Sequence, residues 1–344
     1  MYRFNNDYHN GAHPAILAAL SATNDTAYCG YGLDEECEKA TAMLRRAMNA
    51  PDADIHYLVG GTQTNAVMIH AALRPWEGVI SAESGHINVH ECGAVEACGV
   101  KILTLPTADG KLTASQVEDV AVGYEISTVP EHVTVPRMVY ISSPTEYGTL
   151  YSKAELEALS DVCRKHGLYL FLDGARLAYG LGADGADTVL ADYPRLCDAF
   201  YIGGTKCGAL FGEALVISNP ALKPHFRNMI KQSGAMLAKG WLLGLQFSVL
   251  FTDDLYLRIG KEAVRYAILI RDAFEKAGCP LYMKNPTNQV FVILTKAQQE
   301  KLAKDFIFEY ENPVDENSDC VRFCTTWSTR KEEIDALLKA IQSL

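Results

Sequence analysis

The sequence predicts an α/β protein, with a mainly parallel sheet in a large N-terminal domain and a smaller α+β domain after it. Two observations carry that expectation. Short apolar runs alternate with stretches of helical periodicity, the pattern of βαβ units. At 344 residues the chain also exceeds the size at which a single core stops growing, so two domains are expected, divided as 1–250 and 251–344.

The elements follow in order. The first 35 residues are polar and glycine-bearing, and YCGYGLDEE at 28–36 reads as a loop before a helix. From Glu35 to Met48 apolar and alanine positions recur at helical spacing, and Pro51 lies beyond the stop. IHYLV at 55–59 is a strand that leads into GGTQTN at 60–65 and then into the helical AVMIHAAL. Strand, glycine-rich turn and helix start together offer free backbone N–H groups to an anion.

Further strands are GVIS at 78–81, VKILTL at 100–105, RMVYIS at 137–142, LYLFLD at 168–173 and AFYIGG at 199–204. Helices are expected at Ser115–Val122 and at Lys153–His166, the second capped by Tyr151-Ser152. GEALVISN at 212–219 is expected to return as an antiparallel strand at the sheet's edge. The 16 residues MLAKGWLLGLQFSVLF at 236–251 are too few to span a bilayer and fit a buried or subunit-interface helix. Helical periodicity from Asp254 to Ala277, NQVFVILT at 288–295, CVRFCTTW at 320–327 and a final helix from Lys331 make up the smaller domain.

Composition narrows the function. A formal net charge of -11 argues against a broad nucleic-acid-binding face and against polybasic membrane attachment. The opening MYRFNNDYHNGAHP has no apolar signal-like stretch, and a cytoplasmic location is expected. Ten cysteines are scattered without paired CxxC knuckles, so reduced thiols are expected rather than a structural zinc site. HINVHE at 86–91 is not HExxH, and no catalytic metal is expected.

The specific signal is LYLFLDGARLAYG at 168–180 followed by FYIGGTKCGALFG at 200–212. With YGLDEECEKA, GGTQTN, GHINVHECGA and VRFCTTWSTRKEEID, in that order along the chain, it resembles the threonine aldolase and β-eliminating lyase family. The resemblance implies the aspartate-aminotransferase-like fold, a three-layer architecture around a mainly parallel seven-stranded-type sheet. It also implies pyridoxal 5′-phosphate as cofactor and a homodimer or homotetramer with sites at subunit interfaces.

Carried onto this sequence, the resemblance assigns Lys206 as the Schiff-base lysine, whose ε-amine binds the cofactor and later releases product. Glycines Gly203, Gly204 and Gly208 would leave room for the cofactor. Asp173, at a strand end, would keep the pyridine nitrogen protonated, although an Asp there is as often a helix cap. Arg176 suits the substrate α-carboxylate, and Arg322 offers a second contact or else a structural salt bridge. Gly61 and Thr62 match the phosphate cradle, Thr205 adds a hydroxyl, and Asn65 either joins the site or secures the turn. His86 matches the histidine that stacks on the cofactor and is a candidate base; Glu91 matches an acidic residue of open role. His132 lies where related aldolases carry a histidine near the substrate hydroxyl, and an exposed loop histidine is the alternative. Tyr31 matches an active-site tyrosine that reaches a neighbouring subunit.

Departures concentrate on the substrate side. Of the family's arginine-serine-aspartate-threonine opening only Asp7 survives, assigned to substrate binding. The glutamate-asparagine-threonine-histidine segment after the strand at 137–142 is replaced by SSPTEYG, which puts Glu146 and Tyr147 near the absent histidine. The threonine-histidine pair near the C-terminus becomes Thr326 and Trp327. The expected activity is cleavage of L-threonine, L-allo-threonine or a related β-hydroxy amino acid to glycine and an aldehyde. The alternatives are β-elimination on another amino acid and a non-catalytic protein that keeps the fold.

Overall fold

The computed structural model describes residues 1–344. Its strands are β1 Tyr2–Arg3, β2 Asp54–Leu58, β3 Glu77–Ala82, β4 Lys101–Leu105, β5 Val135–Ser142, β6 Tyr169–Asp173, β7 Ala199–Gly203, β8 Glu213–Ile217, β9 Leu281–Met283, β10 Gln289–Thr295, β11 Phe306–Ile307, β12 Glu309–Pro313 and β13 Ser318–Cys324. Seven form one sheet in the order β2-β8-β7-β6-β5-β3-β4. Pairings from β7 to β4 are parallel, and β8 alone runs against its neighbours. The mainly parallel sheet is thus as expected.

Period-two alternation explains the layers. Val139, Ile141, Leu170, Leu172, Phe200 and Ile202 enter one core, whereas Met138, Tyr140, Phe171, Ala199, Tyr201 and Leu215 enter another on the opposite face. Both faces are apolar, so helices cover both. The antiparallel strand expected at the edge is not there: β2 pairs outside β8. All five residues of β8 are buried, as an interior strand requires, while most of β2 is only half-buried.

Local signals account for the helix starts. Ser152 caps Lys153–Lys165 in a reciprocal arrangement with Glu155, and Asp34 caps Glu35–Ala47 through the Cys37 N–H. Helix Gly61–Ala72 begins within GGTQTN itself, with Gly60 extended at its cap. Helix Pro14–Ala22 falls in the polar, glycine-bearing opening, where no helix was expected; Pro14 at its first position and the His13 ring accepting from Ala15 N are its start signals. Of the apolar segment 236–251 only Trp241–Leu250 is helical, and it is buried within the chain. It packs on Glu35–Ala47 so closely that a Cβ on Gly244 would lie 2.5 Å from Cys37 Cα. No helix is long and apolar enough to cross a membrane.

A second, antiparallel sheet, β12-β13-β10-β9, belongs to the C-terminal region. The start of the chain is tied there: β1 pairs with β11, and Phe4 packs in the C-terminal core beside Phe306 and Phe323. Residues 5–13 then lead back towards the large sheet, where His13 N donates to Gly208 O.

His56 on β2 packs against Phe226 at 4.9 Å between ring centroids, and its Nε2 is sealed from solvent without a partner. Burial depresses its pKa to about 4, Asp54 opposing and Arg227 assisting. Its folded pKa lies below the unfolded value, so the unfolded state binds more protons as pH falls from about 6.5 towards 4. Stability should drop over that window by on the order of 2–3 kcal/mol from this group. Denaturant melts at pH 7.5 and 5 should show a smaller loss for His56→Phe than for the unaltered protein.

Candidate active site

Side chains with no packing role gather at the C-terminal ends of β3, β5, β6 and β7, the edge where open α/β sheets bind ligands. Asp173 ends β6 and stands level with Ser142, which ends β5. Beyond them the backbones of β6 and β7 converge. A Cβ on Gly174 would lie 2.0 Å from Tyr201 O, and one on Gly203 would lie 2.3 Å from Ala175 O. Gly203 N donates to Gly174 O at 3.0 Å. This approach, which only glycine permits, brings Asp173, Arg176 and Lys206 to one place. The glycines near Lys206, expected to make room for a ligand, instead admit the chain itself: a Cβ on Gly204 would meet Gly212 O at 2.6 Å, and Gly208 has φ +100°.

Asp173 is buried, and both of its oxygens accept hydrogen bonds. Its Oδ2 accepts from Tyr140 Oη at 2.6 Å and from Asn65 Nδ2 at 3.1 Å, while Oδ1 accepts from Ala175 N at 2.9 Å. Burial alone would raise its pKa; the His86 ring, the Tyr140 and Tyr201 hydroxyls and the Ala175 N–H outweigh that and lower it. Asn65 also donates to Glu91 Oε1 at 2.7 Å, and the same oxygen lies 2.7 Å from His86 Nδ1. One amide therefore bridges two buried carboxylates, and Glu91 sets the orientation of the His86 ring.

A cavity of about 630 Å³ opens beside this cluster, lined by His86, His90, Glu146, Arg176, Lys206 and Arg322, with Tyr8, Tyr147, Tyr282, Phe291 and Tyr310 among its aromatic walls. Lys206 projects into it from a loop closed by Gly212 N donating to Thr205 Oγ1 at 2.9 Å and by Gly204 N and Thr205 N donating to Gly212 O. Burial lowers the Lys206 pKa and Arg176 assists, with Asp7, Asp173 and Glu213 opposing. Beneath the loop Glu213 Oε2 accepts from Gly204 N at 3.0 Å, and burial pushes its carboxyl up to about 8.

The structure keeps Arg176 in the cavity and reassigns Asp7. Arg176 Nε and Nη2 donate to Asp7 at 2.6 and 3.1 Å, and Asn288 Nδ2 adds a bond at 3.0 Å. Asp7 is buried and outside the cavity lining, so it aims the guanidinium rather than meeting substrate. Burial would raise its carboxyl pKa, but Arg176 and Lys206 hold it well below the usual carboxylate range. Arg322 reaches the cavity, donates to Gln289 Oε1 at 3.2 Å and lies 3.1 Å from Glu311.

Gly61 and Thr62 form the first turn of helix Gly61–Ala72, whose leading N–H groups have no intrahelical acceptor. A Cβ at Gly60 would meet nothing within 4 Å, which leaves space before that turn. Two expected residues do not join. Tyr31, at φ +64°, lines a separate cleft of about 300 Å³ with Asp34 and Arg227. His132 is exposed in the turn Pro130–His132 before β5, at the opposite end of the sheet from Ser142. At about 3.3 Å per residue, β5 puts roughly 25 Å between them.

Sequence reasoning left Asn65 ambiguous, Glu91 without a role and Tyr140 unmentioned. A signal existed for the last: a tyrosine inside a doubly buried strand must find an acceptor for its hydroxyl.

Residues 9–297 match the family model described as β-eliminating lyase. The structure of a threonine aldolase from Leishmania major superposes with a TM-score of 0.97 at 45% identity, covering 100% of this chain and 99% of that one. A low specificity L-threonine aldolase of Pseudomonas aeruginosa is 29% identical over 99% of this chain and 97% of its own. An aspartate aminotransferase of Thermus thermophilus shares the fold, with a TM-score of 0.72 at 16% identity over 100% of this chain and 91% of that one.

If Asn65 is the shared donor, Asn65→Leu should destabilise the protein by roughly 1–3 kcal/mol in urea at neutral pH. Asp173, whose pKa is depressed in the fold, contributes stability above its unfolded pKa and loses it as pH falls through the folded one. The deficit of the variant should accordingly shrink on acidification.

Proposed function

This chain belongs to the β-eliminating lyase family, and we propose that it is a pyridoxal-5′-phosphate-dependent aldolase that cleaves L-threonine, L-allo-threonine or a related β-hydroxy amino acid to glycine and an aldehyde. The observation that carries this reading is the convergence of Lys206 and Arg176 on one cavity beside the buried carboxylate of Asp173, in a chain 45% identical to a threonine aldolase.

The residues present fit the cofactor. Open space before the first turn of Gly61–Ala72 and that turn's unpaired N–H groups suit a phosphate, with Gly61 and Thr62 as its cradle. Asp173, held ionised by its donors, suits a protonated ring nitrogen. Lys206 offers an amine whose pKa burial has lowered, which suits a covalent anchor. Bound pyridoxal phosphate supplies an electron sink for charge developing at the substrate Cα.

The chain's own residues then decide what happens at that carbon. Arg176 holds the α-carboxylate with the edge of its guanidinium that Asp7 leaves free, and Arg322 gives the carboxylate a second contact. Gripping the carboxylate fixes rotation about Cα and so selects the bond that breaks. His86, its ring oriented by Glu91, would help hold the cofactor, and the Lys206 amine would carry a proton to or from Cα. Tyr31, outside its own chain's cavity, serves the cavity of a second copy in a homodimer or homotetramer.

Two experiments test the reading. Purified, cofactor-loaded protein offered L-threonine and L-allo-threonine should release glycine and acetaldehyde, and Lys206→Ala should reduce the rate more than about a thousandfold. Pyruvate from L-serine or L-cysteine, without glycine from either threonine, would move the assignment to β-elimination. Asp7→Asn should raise the KM for threonine about tenfold through the loosened Arg176, with cofactor absorbance unchanged.

A further inference from the structure

Resting on the aldolase reading above, we propose that Glu146 is the residue that accepts the proton of the substrate's β-hydroxyl group. The segment that carries it is one of those that depart from the family pattern, and its geometry gives the departure a purpose.

Beyond β5 the chain folds back over the end of the sheet. Ser143 N donates to Asp173 O at 3.0 Å, Gly148 N to Thr145 O at 2.8 Å, and Thr145 N to Thr149 O at 3.0 Å. The tight turn returns residue 146 into the cavity that Lys206, Arg176 and His86 also line. The C-terminal region clamps its backbone from the far side: Gln289 Nε2 donates to Glu146 O at 3.2 Å, Asn285 Nδ2 to Tyr147 O at 2.8 Å, and Thr287 Oγ1 to Gly148 O at 2.8 Å.

The carboxylate itself is held by one oxygen. Glu146 Oε1 accepts from Ser142 Oγ at 2.7 Å and from the backbone N–H of His86 at 3.0 Å. Oε2 receives no bond from another residue, so the pinned group presents a free, basic oxygen. Burial raises its pKa above that of an ordinary glutamate; Asp173 adds to the rise, and Ser142 and His86 oppose it. A carboxylate shifted this way is a better proton acceptor.

Several other groups on the cavity wall suit the task less well. Arg176 and Arg322 have no lone pair to offer, and Lys206 is assigned to the cofactor. The His86 ring is tied to Glu91. Glu311 lies against Arg322. His90 is exposed, and no hydrogen bond fixes its ring.

The step balances. The hydroxyl proton passes to Glu146, the O–H pair becomes the second bond of the new carbonyl, and the Cα–Cβ pair stays with Cα. One proton delivered to Cα then gives glycine, so the net proton change is zero.

Glu146→Gln tests this without unfolding the site, because the amide oxygen can still accept from Ser142 and His86. Two reactions of the cofactor-loaded variant should be compared: cleavage of threonine, and exchange of the α-proton of glycine with D2O followed by NMR. Exchange works on the same carbon but has no β-hydroxyl. We expect kcat for threonine to fall at least a hundredfold, with glycine exchange within threefold of the unaltered protein and an unchanged cofactor spectrum. Threonine cleavage within threefold would overturn the proposal. So would a parallel loss of both reactions, which would make Glu146 a prop for His86. If the unaltered protein exchanges glycine but cleaves neither threonine, the aldolase reading fails and takes this inference with it.

Discussion

Three carboxylates, Glu91, Glu146 and Asp173, are packed under the C-terminal edge of one sheet, and withdrawing such groups from water costs several kcal/mol each unless donors replace the water. Much of the surrounding structure follows from meeting that requirement. Asn65 gives one N–H to Glu91 and the other to Asp173. Tyr140 and Tyr201 turn their hydroxyls to Asp173 from the inward face of their strands. Ser142 and the His86 backbone serve Glu146. Donors thus come from two strands, β5 and β7, and from two helix starts, which is why the site cannot assemble before the sheet does.

A second constraint is steric. The motifs around Asp173 and Lys206 meet because Gly174 and Gly203 let two backbones touch where any Cβ would collide. The same contact sets Arg176 beside Lys206, where like charges would repel; Asp7 answers this by taking two guanidinium nitrogens. Asp7 belongs to a segment anchored at one end in the C-terminal core through Phe4 and at the other on the large sheet through His13. With Asn288 as its third partner, that carboxylate couples the N-terminal segment, the large sheet and the smaller one.

The resulting cavity is lined by both cations and carboxylates, a polarity matched to an amino acid with its own carboxylate, amine and hydroxyl. Net charge says nothing of this, since the chain's overall -11 is a surface property while the cavity is lined by Arg176, Arg322 and Lys206.

Local pattern was enough for the apolar strands and the capped helices, because each depends on neighbours along the chain at period two or period 3.6, whereas Asp173, Arg176 and Lys206 were named by the family resemblance. The position of β8 inside the sheet was not legible, since an apolar run reports burial but not which strand lies alongside it. Helix Pro14–Ala22 was hidden by polar flanks despite its proline start signal. At the site, sequence could name Asp7, His132 and Tyr31 by similarity but could not say where they go. Folding sends Asp7 beneath Arg176, leaves His132 at the far end of β5 and places Tyr31 in another cleft. Asn65 and Glu146 acquire their partners only when strands and helices distant in sequence close around them. Which residue types occur at which spacing is written along the chain; which buried charge each donor answers is decided by tertiary packing, because a charge buried without a donor is too costly to keep.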